Sequence, residues 1–481
     1  MPTSSTRKVL HNAGLLVIAQ AIATPIAIVV NALAARKLGA ADFGSLYQAL
    51  TFSAFAFLFV EWGQPNVLMA RVATRHDSAG RLLGSALVFR LGMSALAILV
   101  VSAVCLLARY DSRFIMLMAL VMVGSTCATL SSACQDVLRG YERADFAAAC
   151  FVGWQILSAA VVVPTLLLGG GIYGFLLAQV ACAAVGCLFV IAMLPRLGVP
   201  PLAAATSTIM DLYRSGRPFL LFALVLLLQP LVDAAMLSRL APAEELGWYA
   251  AARKLVGVAV YPASALVLAL YPTLCRVRTE SMTVYRDTLA EALYAVTVLV
   301  VPLALGCALF PGLGVAIFGQ QAYGPAQDDL RVLAAYVALV YFSMPIGSCL
   351  VSSGRQNGWT AVQFVCVLVS LALDPPLIRW FHARAGNGGL GVCVAAVVSE
   401  ILMVAGGLAL LPTGVLAKPP RLKLAAVALS GAAMTAVALS GTGLVEWLRA
   451  VAAVIAYAVC LQLLGGFNFL QARSFLRALR G

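Results

Sequence analysis

Ala32–Phe52 reads ALAARKLGAADFGSLYQALTF and lies between two long apolar runs. It carries Arg36, Lys37, Gly39, Asp42, Phe43, Gly44 and Tyr47. A second version starts at Met236, MLSRLAPAEELGWYAAARKL. Both copies run from an apolar helix through a basic residue and Leu to a short Ala-rich turn. An acid, an apolar residue and Gly follow, with Tyr one or two places on. Asp42, Phe43 and Gly44 align without gaps on Glu245, Leu246 and Gly247, and Leu38 aligns on Leu240 with one insertion. A repeat flanked by matching apolar spans is the mark of a duplicated membrane fold.

The composition around this repeat is that of a membrane protein. Of 481 residues, 62% are hydrophobic and 11% charged, against roughly 25% charged in soluble domains. The apolar residues fall in runs long enough to cross a bilayer. A lipid-facing barrel would show short alternating segments instead. The net charge of +13 is not read as nucleic-acid binding, because basic residues in such chains gather in cytoplasmic loops. Cys105, Cys127, Cys182, Cys187, Cys366 and Cys460 lie inside apolar runs without metal-ligand spacing. They read as small core hydrophobes.

The pattern predicts an all-α polytopic integral membrane protein with about fourteen transmembrane helices. Spans one and two lie near 13–34 and 46–66, with Pro25 expected to kink the first. Spans three to six lie near 83–108, 114–135, 147–168 and 172–194. The longest polar connection, Leu194–Arg217, separates the halves. Spans seven to twelve then lie near 218–238, 247–271, 289–311, 330–351, 359–378 and 389–411. Two more follow near 424–441 and 445–467. The expected organisation is a six-helix lobe over 10–196, a second over 214–411, a helix pair over 422–467 and a basic cytoplasmic tail over 468–481.

Charge sets the orientation. With the N-terminus inside, the inner segments hold Arg71, Arg75, Arg81, Arg139, Arg143, Arg196, Arg214, Arg276, Arg278, Lys418 and the tail arginines. The outer loops hold Arg36, Lys37, Arg109, Arg113, Arg239 and few others. Both termini are thus expected in the cytoplasm. Six spans separate the two copies of the repeat, so both copies face the same side. The symmetry axis then runs along the membrane normal, with a central cavity expected between two pseudo-symmetric bundles. Gly44 and Gly247 are expected at equivalent turns.

On the ARKLGAADFGSLYQA stretch, its echo LSRLAPAEELGWYAAARKL, RGYERADF from Arg139 and SSGRQNG from Ser352, the chain resembles the multidrug/oligosaccharidyl-lipid/polysaccharide exporter superfamily. Within it the chain looks like the polysaccharide biosynthesis proteins and O-antigen or lipid-linked oligosaccharide flippases. The resemblance covers residues 10 to about 411. It implies alternating access and translocation of polyprenyl-diphosphate-linked sugar from the cytoplasmic to the outer leaflet of a bacterial inner membrane. It also implies a monomer working beside the polymerase or glycosyltransferases of its pathway. Fourteen spans also match the lipid II flippases, although that branch's arginine-rich first helix is missing. Two rival functions remain, a drug/cation antiporter of the same superfamily and a membrane-bound polysaccharide enzyme. The enzyme reading lacks a paired-carboxylate loop and has only the scattered His11, His76 and His382.

A lipid-linked sugar diphosphate needs cations for phosphate, polar and aromatic groups for sugar, and an apolar path for its tail. Charges inside spans are costly and face a cavity or a partner. Arg90, Arg253 and Lys254 are the deepest cations, with Arg217 at the mouth of span seven. Arginine suits phosphate through its two-pronged donation, while snorkelling or an internal ion pair is the competing role for each. Tyr47 and Tyr249 are candidate sugar contacts, as are Trp154, Tyr261 and Tyr341. Glu61, Asp233 and Glu400 are acids within or at spans, suited to pairing with those cations or to taking up a proton or sodium ion. No cofactor, metal or nucleic-acid partner is expected.

Overall fold

A computed structural model describes residues 4–141, 143–416, 421–440 and 445–466. Lys418 and the expected tail 468–481 lie outside these residues. The described chain is helical throughout, in fifteen α-helices and two single 3₁₀ turns, His76–Ser78 and Pro195–Leu197. Helix is what apolar runs of this length must adopt, because only a helix satisfies its own backbone donors and acceptors away from water.

The helices are α1 Ser4–Glu61, α2 Gln64–Thr74, α3 Ala79–Leu107, α4 Ser112–Gly140, α5 Ala144–Leu167 and α6 Gly171–Met193. They continue as α7 Thr206–Leu240, α8 Ala243–Glu280, α9 Met282–Leu309, α10 Pro311–Ala316 and α11 Ala326–Ser352. The last four are α12 Gln356–Ala385, α13 Gly389–Leu410, α14 Arg421–Leu439 and α15 Glu446–Leu463. Twelve helices among the described residues are long and apolar enough to cross a membrane. One of them, Ile22–Glu61 within α1, takes in most of both of the first two expected spans. The seventh expected span falls in α7, where several side chains lie outside the described set.

α1 is 58 residues long and is broken at Gly39, with φ 80° and ψ 171°. That region of backbone space is open to glycine alone. The backbone around Pro25 stays helical, so the break falls at Gly39 and not at the proline. The corresponding break in the second copy is the extended Pro242, φ −60° and ψ 155°, ahead of α8. Gly44 and Gly247, expected at turns, each sit instead in helix, five residues past these breaks. They are equivalent positions, but the chain turns earlier, where Gly39 and Pro242 supply the needed backbone angles.

The chain divides into two compact units, Met1–Ala234 and Ala235–Arg480. The division falls inside α7 rather than in the polar connection before it. The start of α7 is fastened within the first unit. Asp211 accepts from Arg71 Nη1 at 2.5 Å, Ser215 Oγ accepts from Arg71 Nη2 at 2.8 Å, and Tyr213 stacks on Trp62 at 4.7 Å.

Within the first unit one apolar core gathers Val30, Leu46, Phe57, Met118, Met122 and Phe175. A second gathers Leu68, Leu83, Val137, Leu138, Leu194 and Leu212. In the second unit α12 and α13 lie backbone to backbone. A Cβ on Gly391 would come within 2.5 Å of the Leu377 carbonyl carbon, so no larger residue fits without separating the helices. α14 and α15 join this unit through α9, where Tyr457 donates to the Val298 carbonyl at 2.8 Å.

Candidate functional site

In each unit an arginine within a membrane-spanning helix stands near a carboxylate. In the first unit α3 places Arg90 where its side chain is fully buried. Its Nε donates to Gln64 Oε1 at 3.2 Å. Its Nη1 donates to the Thr129 carbonyl at 2.5 Å and to Thr129 Oγ1 at 3.3 Å. Its Nη2 stands 3.9 Å from Asp136 Oδ2. Thr129 Oγ1 donates in turn to Glu61 Oε1 at 3.3 Å, and Asp136 Oδ1 accepts from Arg139 Nη1 at 3.3 Å. α1, α2, α3 and α4 thus meet at one guanidinium. Of the charges involved, Arg90 and Asp136 are buried, Glu61 is half-buried and Arg139 is exposed, so the buried pair is the one that needs its partner.

The corner that presents Gln64 is tight. Trp62 and Gly63 both take positive φ, 50° and 66°. A non-glycine residue there needs support from its surroundings. Trp62 has it, because its Nε1 donates to the Tyr213 carbonyl at 3.0 Å and its ring stacks on Tyr213. The Arg217 guanidinium lies 5.8 Å from the centroid of that same Tyr213 ring.

In the second unit Glu400 on α13 is buried and accepts a hydrogen bond from the Ser343 hydroxyl on α11. Arg253 on α8 is half-buried, with its guanidinium 5.1 Å over the Tyr336 ring. Its charge acts on Glu400. Lys254, the next residue, is also half-buried. The repeat's acids act as clamps within their own units. Asp42 accepts from Arg113 Nη2 at 2.9 Å, and Glu245 binds His382 Nδ1 at 2.7 Å and the Gly388 amide.

The residues singled out in the sequence therefore fall into distinct settings. Arg90 and Glu61 share the first node, and Arg253 and Glu400 the second. Arg217 is exposed and sits on the Trp62–Tyr213 stack, and Tyr47 is half-buried in α1. Asp233 is buried in α7. Tyr249 and Tyr341 have no exposed surface, and Tyr341 donates to the Ala259 carbonyl at 2.7 Å, so neither ring offers a face to a sugar here. Arg90, expected at phosphate, has its Nε and Nη1 engaged by Gln64 and Thr129, while Nη2 faces Asp136 at 3.9 Å without a hydrogen bond. Gln64, Thr129, Asp136, Tyr336 and Ser343 did not stand out in the sequence. Only Asp136, spaced three residues from Arg139 on a helix, carried a usable signal. Among the described residues no three of His, Cys, Asp or Glu gather as metal ligands would.

The described chain is a polytopic helical protein of two units, with twelve helices long and apolar enough to cross a membrane. The solved structures that the chain resembles are of this class. A lipid II flippase, MurJ, in an inward closed conformation matches with a TM-score of 0.74 at 11% identity, over 96% of this chain and 99% of that one. A multidrug resistance transporter of the MATE family, inward-facing, matches with a TM-score of 0.67 at 14% identity, over 82% and 97%. A transporter from Pyrococcus furiosus, described as having a binding pocket of reverse polarity, matches with a TM-score of 0.59 at 15% identity, over 84% and 94%. All three are flippases or transporters of the multidrug/oligosaccharidyl-lipid/polysaccharide exporter type, and at these identities the likeness shows the fold. No curated protein matches the chain by sequence. The family model for polysaccharide biosynthesis proteins matches residues 9–278, more than half of the chain, and the chain belongs to that family.

Proposed function

We propose that the protein moves a polyprenyl-diphosphate-linked oligosaccharide from the cytoplasmic to the outer leaflet of a bacterial inner membrane, by alternating access, for surface polysaccharide assembly. The observation that carries this reading is the family match, which takes in both turn stretches together with α3 and most of α8. The fold shared with a lipid II flippase supports movement of a lipid-linked sugar. The chain's own cations support an anionic cargo.

Arg253 is the cation we assign to the diphosphate, with Lys254 beside it in sequence. Arg253 is half-buried, so its long side chain is restrained while part of it stays accessible. Tyr336 holds the guanidinium plane, and Glu400 supplies a counter-charge when phosphate is absent. Exchange of Glu400 for a phosphate group frees the carboxylate, which gives a physical route by which cargo binding alters the contacts between α8, α11 and α13. Arg90 holds α1 to α4 together through Glu61 and Asp136 in this scheme. Tyr47 is assigned to sugar, and Asp233 to coupling with a proton or sodium ion. The reading is tested by transfer of a labelled undecaprenyl-diphosphate oligosaccharide across proteoliposomes. Wild-type protein transfers it, and absence of transfer above protein-free vesicles overturns the reading.

A further inference from the structure

A groove of about 770 Å³ opens in the first unit between α4, α5 and α6. It meets the node around Arg90 only through Arg139, which pairs with Asp136. Its walls are apolar: Phe146, Trp154, Leu157, Phe189 and Met193 line it. Phe189 is 56% exposed, so one side of the groove is open to the surroundings. Small residues make the space. A Cβ on Gly153 would meet nothing within 4 Å, and Gly186 lets the Trp154 indole lie against α6, where a Cβ would stand 3.2 Å from its ring.

The groove is polar along one line and basic at one end. Ser131, Ser132, Gln135 and Arg139 line it from α4, at spacings that place them on a single helix face. Gln135 Nε2 lies 3.4 Å from Ser131 Oγ. Arg139 closes the line at the end of α4. Arg143 lies with its guanidinium 4.4 Å over the ring of Phe146, and Arg196 Nη1 is 3.8 Å from Met193 Sδ. Three arginines from three segments thus gather on the rim of an apolar slot. Asp136 pairs with Arg139 and Asp145 with Arg143, while Arg196 contacts neither acid. Among the described residues of the rim, one positive charge is left over.

We propose that this groove binds an anionic glycerophospholipid of the bilayer, with an acyl chain along the aromatic wall and its phosphodiester at the arginine rim. Basic pockets between transmembrane helices hold acidic lipid headgroups by this combination of charge and slot. The lining of the groove selects a phospholipid over an isoprenoid chain. The line of Ser131, Ser132 and Gln135 offers donors to the ester carbonyls below a glycerol, where a pure hydrocarbon tail has nothing to accept them.

The test uses purified full-length protein and native mass spectrometry with dioleoylphosphatidylglycerol or dioleoylphosphatidylcholine in detergent. Wild-type protein retains the anionic lipid at detergent levels that strip the zwitterionic one. The exposed pair Arg143→Gln and Arg196→Gln lowers retention of the anionic lipid by about fivefold for each arginine removed. Gly153→Leu, whose Cβ meets nothing within 4 Å and whose side chain takes up groove space, lowers retention of both lipids while the protein still melts cooperatively at or above the wild-type temperature. Equal retention of the two lipids by wild type overturns the proposal. So does wild-type retention of phosphatidylglycerol in both the Arg143/Arg196 variant and Gly153→Leu. Displacement of phosphatidylglycerol by an equimolar amount of undecaprenyl phosphate overturns it as well, and assigns the groove to the isoprenoid carrier.

Discussion

At the residue scale, the buried Arg90 and the half-buried Arg253 do different work because their surroundings differ. Arg90 has no exposed surface and its partners come from α2 and α4. Removing the charge leaves the buried Asp136 with only the exposed Arg139 beside it. Breaking such a set by deleting one partner costs about 3–5 kcal/mol. Arg90→Gln is therefore expected to lower thermal stability sharply in a dye-based unfolding assay in detergent. Adding Asp136→Asn to it recovers part of the loss, since the orphaned carboxylate is then neutral. An Arg90→Gln protein that melts with wild type contradicts the network. The sequence disclosed which charges lay inside spans, and the cost of burying them made them worth naming. It did not disclose which were enclosed and which accessible, because that depends on side chains from other helices. Thr129 offers Arg90 a backbone carbonyl, and no sequence pattern marks a carbonyl as a ligand.

At the scale of the element, glycines decide where helices break and how closely they approach. The apolar runs were legible, and most expected spans fall within a helix, although spans one and two share α1 and twelve helices among the described residues are long and apolar enough to cross a membrane. The position of the first break was not. Pro25 was expected to kink the first span and Gly44 to make the turn, but the break is at Gly39, and a proline within a helix is tolerated when the backbone angles stay helical, as they do here. Gly39→Ala puts a side chain at φ 80° and ψ 171°, in open space. The whole cost is then backbone strain, on the order of 1–3 kcal/mol. Gly391→Ala acts by a different cause, a Cβ driven into the α12 backbone. It is expected to destabilise by about 1–3 kcal/mol, whereas Gly257→Ala, whose Cβ meets nothing within 4 Å, is expected to be neutral or slightly stabilising. Melting temperatures of the three variants check this. Equal effects for Gly391→Ala and Gly257→Ala would contradict the close contact between α12 and α13.

At the scale of the whole molecule, the repeat was readable because each copy keeps an acid, a buried apolar residue and a glycine in the same order. Phe43 and Leu246 are both buried, 2% and 1% exposed. Their acids clamp different segments, Asp42 to the start of α4 and Glu245 to the α12–α13 corner. Those partners lie too far along the chain for the sequence to reveal. The charge bias supports a topology with both ends in the cytoplasm. Cysteines placed at Arg75 and at Arg196 are expected to react with an impermeant thiol reagent only after the membrane is opened from the outside. Labelling of either in intact cells contradicts that orientation.

The central claim is that the protein carries a lipid-linked sugar diphosphate and that Arg253 meets its phosphates. It is tested most directly by measuring transfer of labelled undecaprenyl-diphosphate oligosaccharide across proteoliposomes, with matched amounts of wild type, Arg253→Gln and Arg253→Lys. Wild type is expected to transfer the substrate. Arg253→Gln is expected to insert and melt as wild type while losing transfer by at least about tenfold, the loss of one charged hydrogen-bonding pair. Arg253→Lys is expected to recover part of the rate, since a point charge lacks the paired donors of a guanidinium. Transfer by Arg253→Gln at the wild-type rate would contradict the account.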